Sequence, residues 1–114
     1  MGIIGTHLLF YTPEADALRE TLRDVFGWDH VDAGGGWLIF KTPPAEIGIH
    51  PGDTPSHAIS LMCDDLEATM AELRGKGIPV DDGIEDAGFG RVTHLTLPGE
   101  VRVMLYEPRH PTAF

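Results

Sequence analysis

A strand–helix unit occurs twice in this chain, over residues 3–26 and again over 57–78, and three short strand-like runs follow each copy. A duplicated order of strand–helix–strand–strand–strand restricts the chain to folds built from two equivalent halves. The second copy is the clearer. Residues 57–63, HAISLMC, are apolar apart from His57 and Ser60 and too short for a helix, so they read as a buried strand. Asp64 stops that strand and can cap a helix, with Glu67 three residues on completing a capping-box pattern. Leu66, Met70 and Leu73 follow at i, i+4 and i+7 on one helical face. Glu72 and Lys76 can pair on the exposed side, and Gly75 and Gly77 offer the stop.

The first copy opens with IIGTHLLFY at residues 3–11, in which His7, Leu9 and Tyr11 share one strand face. Thr12 is a natural N-cap and Pro13 a natural first helical residue. Ala15, Leu18, Leu22, Val25 and Phe26 trace an apolar stripe, and Gly27 ends the helix. Strands are expected at 28–33, 37–41 and 46–50, the first two joined by the glycines at 34–36. That glycine run lacks the lysine and the serine or threonine of a phosphate-binding loop, so it implies no nucleotide. Residues 51–56, PGDTPS, are the linker between the halves. In the second half, 79–84 reads as a weak edge strand because Pro79 cannot donate to a ladder. Residues 87–90 are a turn, 91–97 and 101–106 are strands, Pro108 is a stop and 109–114 a loose tail. Overlaying the halves pairs His7 with His57, Gly48 with Met104 and His50 with Tyr106.

Composition narrows the partners. With 114 residues the chain forms one domain, and a hydrophobic fraction of 42% is a globular value. Eighteen acidic against eight basic residues give a net charge of −10 with no basic cluster, a surface that repels phosphate backbones and anionic membranes. No nucleic acid or membrane partner is expected, and a cationic or neutral small ligand suits the surface better. No apolar run approaches the roughly 20 residues that span a bilayer. The start of the chain is unlike a secretory signal. Cys63 is the only cysteine, which excludes an internal disulfide, fits a reducing cytoplasm and reads as a buried inert thiol.

Two β-α-β-β-β modules in so short a chain resemble the vicinal oxygen chelate superfamily, which holds glyoxalase I, the extradiol dioxygenases and the bleomycin and fosfomycin resistance proteins. The resemblance runs from about Gly5 to Pro108 and rests on HLLFYTPEADALRETLRDVFGW, HAISLMCDDLEATMAELRGKGI and the terminal VRVMLYEP. It implies an α+β fold in which module one, about 3–50, and module two, about 57–108, form an incomplete mixed barrel around a cavity. Leu9, Tyr11, Gly48, His50, Ile59, Met104 and Tyr106 would line it. A metal in that family takes one ligand from the first and one from the fourth strand of each module. Carried over, the first-strand ligands are His7 and His57. The fourth-strand positions fall on Gly48 and Met104, where glyoxalases carry glutamates, so this chain departs from the pattern. Glu46 and His50 lie two residues either side of Gly48 on the same face, and Glu46 is the carboxylate best placed to complete a site. Glu107 is the alternative, although strict alternation points it to the other face. His30, His94 and His110 read as surface or edge residues, and Trp37, Phe40, Phe89 and Tyr106 as core or cavity wall.

Two functions from different classes follow. One is a metal-dependent lyase, isomerase or ring-cleaving dioxygenase. In it a divalent iron, zinc, nickel or manganese ion grips two adjacent oxygens of a small substrate. The other is a metal-free module that sequesters a drug or metabolite, as the bleomycin-type resistance proteins do. The missing fourth-strand glutamates favour the second. A homodimer is implied in either case, because one chain leaves a half-open cavity and apolar sheet edges uncovered.

Overall fold

Both apolar stripes become helices. Helix α1 spans Ala15–Asp24 and α2 spans Leu66–Gly75. The computed structural model describes residue 2 and residues 6–114, so residues 3–5 of the expected opening strand lie outside the described residues. On α1, Leu18 and Leu22 are buried, and Val25 and Phe26 pack against the same core just beyond its end. The helix begins later than expected, after Glu14, which provides no side-chain cap. Thr12 Oγ1 accepts from the Glu14 N–H at 3.2 Å and donates to Pro98 O at 3.0 Å, which ties the entry of α1 to a distant turn. On α2 the cap is Asp65 rather than Asp64: its Oδ1 accepts from the Ala68 N–H at 3.0 Å from an extended backbone. With Asp65 as the cap, Glu67 is the second helical residue rather than the third, so it closes no capping box and its carboxylate pairs with Arg91 instead.

Among the described residues, six short strands fall into two sheets. β1 (His30–Asp32) and β2 (Leu38–Phe40) form an antiparallel hairpin, closed by three glycines that all adopt positive φ. β3 (Ser60–Met62), β4 (Glu85–Asp86), β5 (Gly90–Leu97) and β6 (Val101–Pro108) form the larger sheet in the order β3-β6-β5-β4. β3 runs parallel to β6, and the other pairs are antiparallel. The β5–β6 turn needs Gly99, whose φ is +83°; a Cβ there would fall 1.7 Å from Thr12 Oγ1.

The core lies on one face of this sheet. Leu95, Leu97, Val103 and Leu105 meet Leu66 and Met70 of α2 and Leu18 and Leu22 of α1 in one cluster. Leu66 and Leu95 are fully buried, and a leucine side chain so placed contributes about 1.5–3 kcal/mol of transfer free energy. The two sheets do not close on each other, so the barrel is incomplete.

Four strand expectations need correction. Residues 6–11 and 46–50 form no ladder, and 57–59 lie outside β3. Residues 79–84 contribute one isolated bridge, Val80 to Leu95. A strand exists only where a neighbour accepts and donates its backbone bonds. β6 has such a neighbour on each side, whereas 46–50 is five residues long, carries Gly48 at its centre and is followed by Pro51, which has no N–H.

Candidate functional site

Register decides which side chains leave the core. Since Leu97 pairs with Val101, Thr93 faces Leu105 and Leu95 faces Val103 on the α2 side. The intervening residues therefore project from the opposite face. One cross-strand row there reads Ser60, Met104 and His94; the next reads Met62, Tyr106 and Val92.

Against the second row the chain folds residues 46–48 and its tail, enclosing a cleft of about 410 Å³. Ser60, Met62 and Tyr106 form its floor, and Glu46, Gly48, Ala58 and His110 its sides. Tyr106 is braced from behind by Phe89, in an edge-to-face contact with ring centroids 5.4 Å apart. Its Oη stands 3.0 Å from His110 Nε2, and His110 Nδ1 stands 2.8 Å from Pro111 O. A carbonyl can only accept, so Nδ1 carries the proton and, in the neutral ring, Nε2 accepts from the Tyr106 hydroxyl. Glu46 is half-buried, and its Oε1 is enclosed with no hydrogen-bond partner among the described residues. Burial, and then the nearby Glu46 charge, push the Tyr106 hydroxyl above its ordinary pKa.

A second, shallower cleft of about 340 Å³ lies on the same side of the sheet towards β4. His94, Val92, Glu85 and Arg102 border it. Arg102 is already committed there, donating to both carboxylate oxygens of Asp81 at 3.2 and 2.6 Å.

The expected site residues part company. Glu46, Gly48 and Tyr106 meet in the larger cleft. Met104 lies half-buried in the adjoining row, and Ile59 is half-buried just before β3. His7, Leu9 and Tyr11 are exposed along residues 6–11, and Tyr11 is 87% exposed. His57 is exposed ahead of β3, and His50 is exposed with Nδ1 donating to Pro51 O at 2.6 Å. Glu107 lies on the α2 side, where Oε2 accepts from the Leu66 N–H at 3.2 Å and from Arg91 at 3.1 Å. His7, His57 and Glu46 thus do not converge, and among the described residues no three His, Cys, Asp or Glu side chains form a group able to hold a metal ion. This donor set does not fit a divalent ion within one chain. Cys63 is partly buried, and desolvation is the main cause raising its thiol pKa, in keeping with an inert thiol.

Two histidines read as surface residues belong here instead: His110 walls the larger cleft and His94 the smaller. His94 was accessible in principle, because the Pro98-Gly99 turn sets the hairpin register and so places it opposite Met104. His110 had no such signal, since it lies beyond the last strand.

No protein-family model matches the chain, and no curated protein matches its sequence. Solved structures do resemble it. TnmS3, an antibiotic binding protein from Streptomyces sp. CB03234, is 22% identical over 95% of this chain and 98% of its own, with a TM-score of 0.67. A lactoylglutathione lyase from Agrobacterium tumefaciens is 18% identical over 94% of each chain, TM-score 0.64. A glyoxalase/bleomycin resistance protein/dioxygenase superfamily member from Sphaerobacter thermophilus DSM 20745 is 19% identical over 94% of this chain and 99% of its own, TM-score 0.63.

Proposed function

The chain has the vicinal oxygen chelate fold, and from that premise we propose that it is a small-molecule binding protein. It holds an organic ligand in the Glu46–Tyr106 cleft by shape and hydrogen bonding, with no metal in the recognition. The observation that carries this reading is the enclosed Glu46 Oε1, a polar atom without a partner among the described residues at the wall of a 410 Å³ cleft. An unpaired buried acceptor costs about 1–3 kcal/mol, which a ligand donor recovers. The volume falls within the usual range for small-molecule sites, and Tyr106 and Met62 supply apolar lining. That an antibiotic binding protein has the same fold agrees with the reading. The binding unit is a homodimer, because residues 6–11 and 46–50 carry apolar side chains that nothing among the described residues covers. The single, partly buried thiol suits action in the cytoplasm.

The test is a thermal-shift screen of a small-organic library against the parent and Ser60→Trp, which fills the cleft floor. Ligands at 100 times their Kd should add about 2.7 kcal/mol of stability to the parent and nothing to the variant. Hits that stabilise both equally place the site elsewhere. Hits that bind only after loading with iron, zinc, nickel or manganese would favour the metal-dependent enzyme instead.

A further inference from the structure

We infer that the cleft selects organic cations whose N–H groups donate to Glu46 and Tyr106; this rests on the binding function proposed above. The polarity of the cleft leads there. Glu46 can only accept through its carboxylate, and its Oε1 is enclosed with no partner among the described residues. Tyr106 has its hydroxyl proton engaged by His110, whose own ring proton is engaged by Pro111 O, so the remaining Oη lone pairs are what the cleft receives. Two acceptors therefore face the cleft, Tyr106 from its floor and Glu46 from its side.

Among the described residues no lysine or arginine lines the cleft to serve as counter-ion. The arginines near this end of the sheet are engaged elsewhere: Arg91 pairs with Glu67 and Glu107, and Arg109 donates to Asp86 at 2.5 Å. A neutral donor would satisfy the hydrogen bonds but leave the carboxylate charge unmatched in a partly desolvated site. An ammonium, amidinium or guanidinium group satisfies both. The Tyr106 ring, held edge-on to Phe89, adds an electron-rich surface for such a group. The net charge of −10 raises the concentration of cations at the surface, so their encounter rate rises at low salt.

Three planar probes of nearly equal shape separate the terms: benzamidine, neutral benzamide and anionic benzoate. Calorimetric titration of the parent should show benzamidine binding at least about tenfold more tightly than benzamide, with no measurable benzoate binding. Glu46→Gln should cost benzamidine about tenfold or more and leave benzamide unchanged. Tyr106→Phe should weaken benzamidine several-fold. Equal affinity for all three probes, binding of none at millimolar concentration, or indifference of benzamidine to Glu46→Gln each overturns the inference. The control is Ser60→Trp. If it abolishes probe binding while Glu46→Gln does not, the cleft binds ligands without charge selection and the proposed function stands. If Ser60→Trp leaves every bound probe unaffected, the proposed function fails with the inference.

Discussion

Glu46 and Glu107 were alternative candidates for one role, and their surroundings separate them. Glu107 sits under the start of α2, where its Oε2 meets the Leu66 N–H and Arg91; an anion there satisfies an otherwise free helical donor and the positive end of the helix. Glu107→Gln should lower unfolding stability by about 1 kcal/mol in urea titration and leave ligand binding untouched. A loss of ligand binding on that change would return Glu107 to the cavity. Strict strand alternation was enough to assign Glu107 to this face. Acid stability follows from neighbouring pairs. Hydrogen bonds from Arg91, Arg102 and Arg109 are the leading causes that hold Glu67, Asp81 and Asp86 below the usual carboxylate range. With folded pKa values below the unfolded values of about 4, their contribution is present above that pH and is lost as pH falls through the folded values. Melting temperature should therefore be flat from pH 7 to about 5 and fall below it. These groups are solvent-exposed, so the fall should shrink in high salt. An acid limb that ignores salt would mean that buried groups, not these pairs, govern it.

At the scale of elements, what the sequence disclosed depended on where each element finds its stabilising contacts. A helix satisfies its own backbone, so α1 and α2 were legible from the stripes of Leu18 and Leu22 and of Leu66 and Met70. Their starts were less so, because Asp64 and Asp65 are both competent caps, and the Asp64–Glu67 spacing pointed to a start one residue earlier than the helix adopts. Asp65→Ala should cost about 1 kcal/mol in helix-dependent stability and Asp64→Ala close to nothing, measured by urea unfolding. Equal costs would mean that the cap is shared. Gly99→Ala is the corresponding test for the sheet. Both its positive φ and the Thr12 side chain oppose a methyl group, so the loss should exceed the roughly 1 kcal/mol of a simple left-handed glycine position. Thr12→Ala introduced beside it should recover part of the loss, since the clash is with the Thr12 side chain. Residues 6–11 and 46–50 read as strands from composition, yet strand character needs a partner that the described residues do not place beside them.

For the whole molecule, the surface that the proposed dimer would cover has a measurable size. A chain of 12.4 kDa ordinarily exposes about 6100 Å² when folded, whereas this one exposes 8242 Å². Its radius of gyration is 15.2 Å against the roughly 13 Å expected for its length. The surplus, roughly 2100 Å² per chain, is of the order that obligate homodimers bury. It is apolar where the strands are unpaired: Ile47 is 79% and Ile49 92% exposed, with Tyr11 between them at 87%. Edges of this kind associate through backbone and side chains together. Sedimentation equilibrium at micromolar concentration should therefore give twice the chain mass. Ile49→Lys should shift the species towards monomer and lower the melting temperature, because a charge placed on a buried interface core is neither paired nor solvated. A parent protein that stays monomeric, or an Ile49→Lys variant that dimerises as the parent does, would remove this face from the interface. Dimerisation also bears on the cleft, since Gly48 lies between these two isoleucines on the segment that walls it. A monomeric Ile49→Lys protein should accordingly bind benzamidine more weakly although no residue of the cleft has changed.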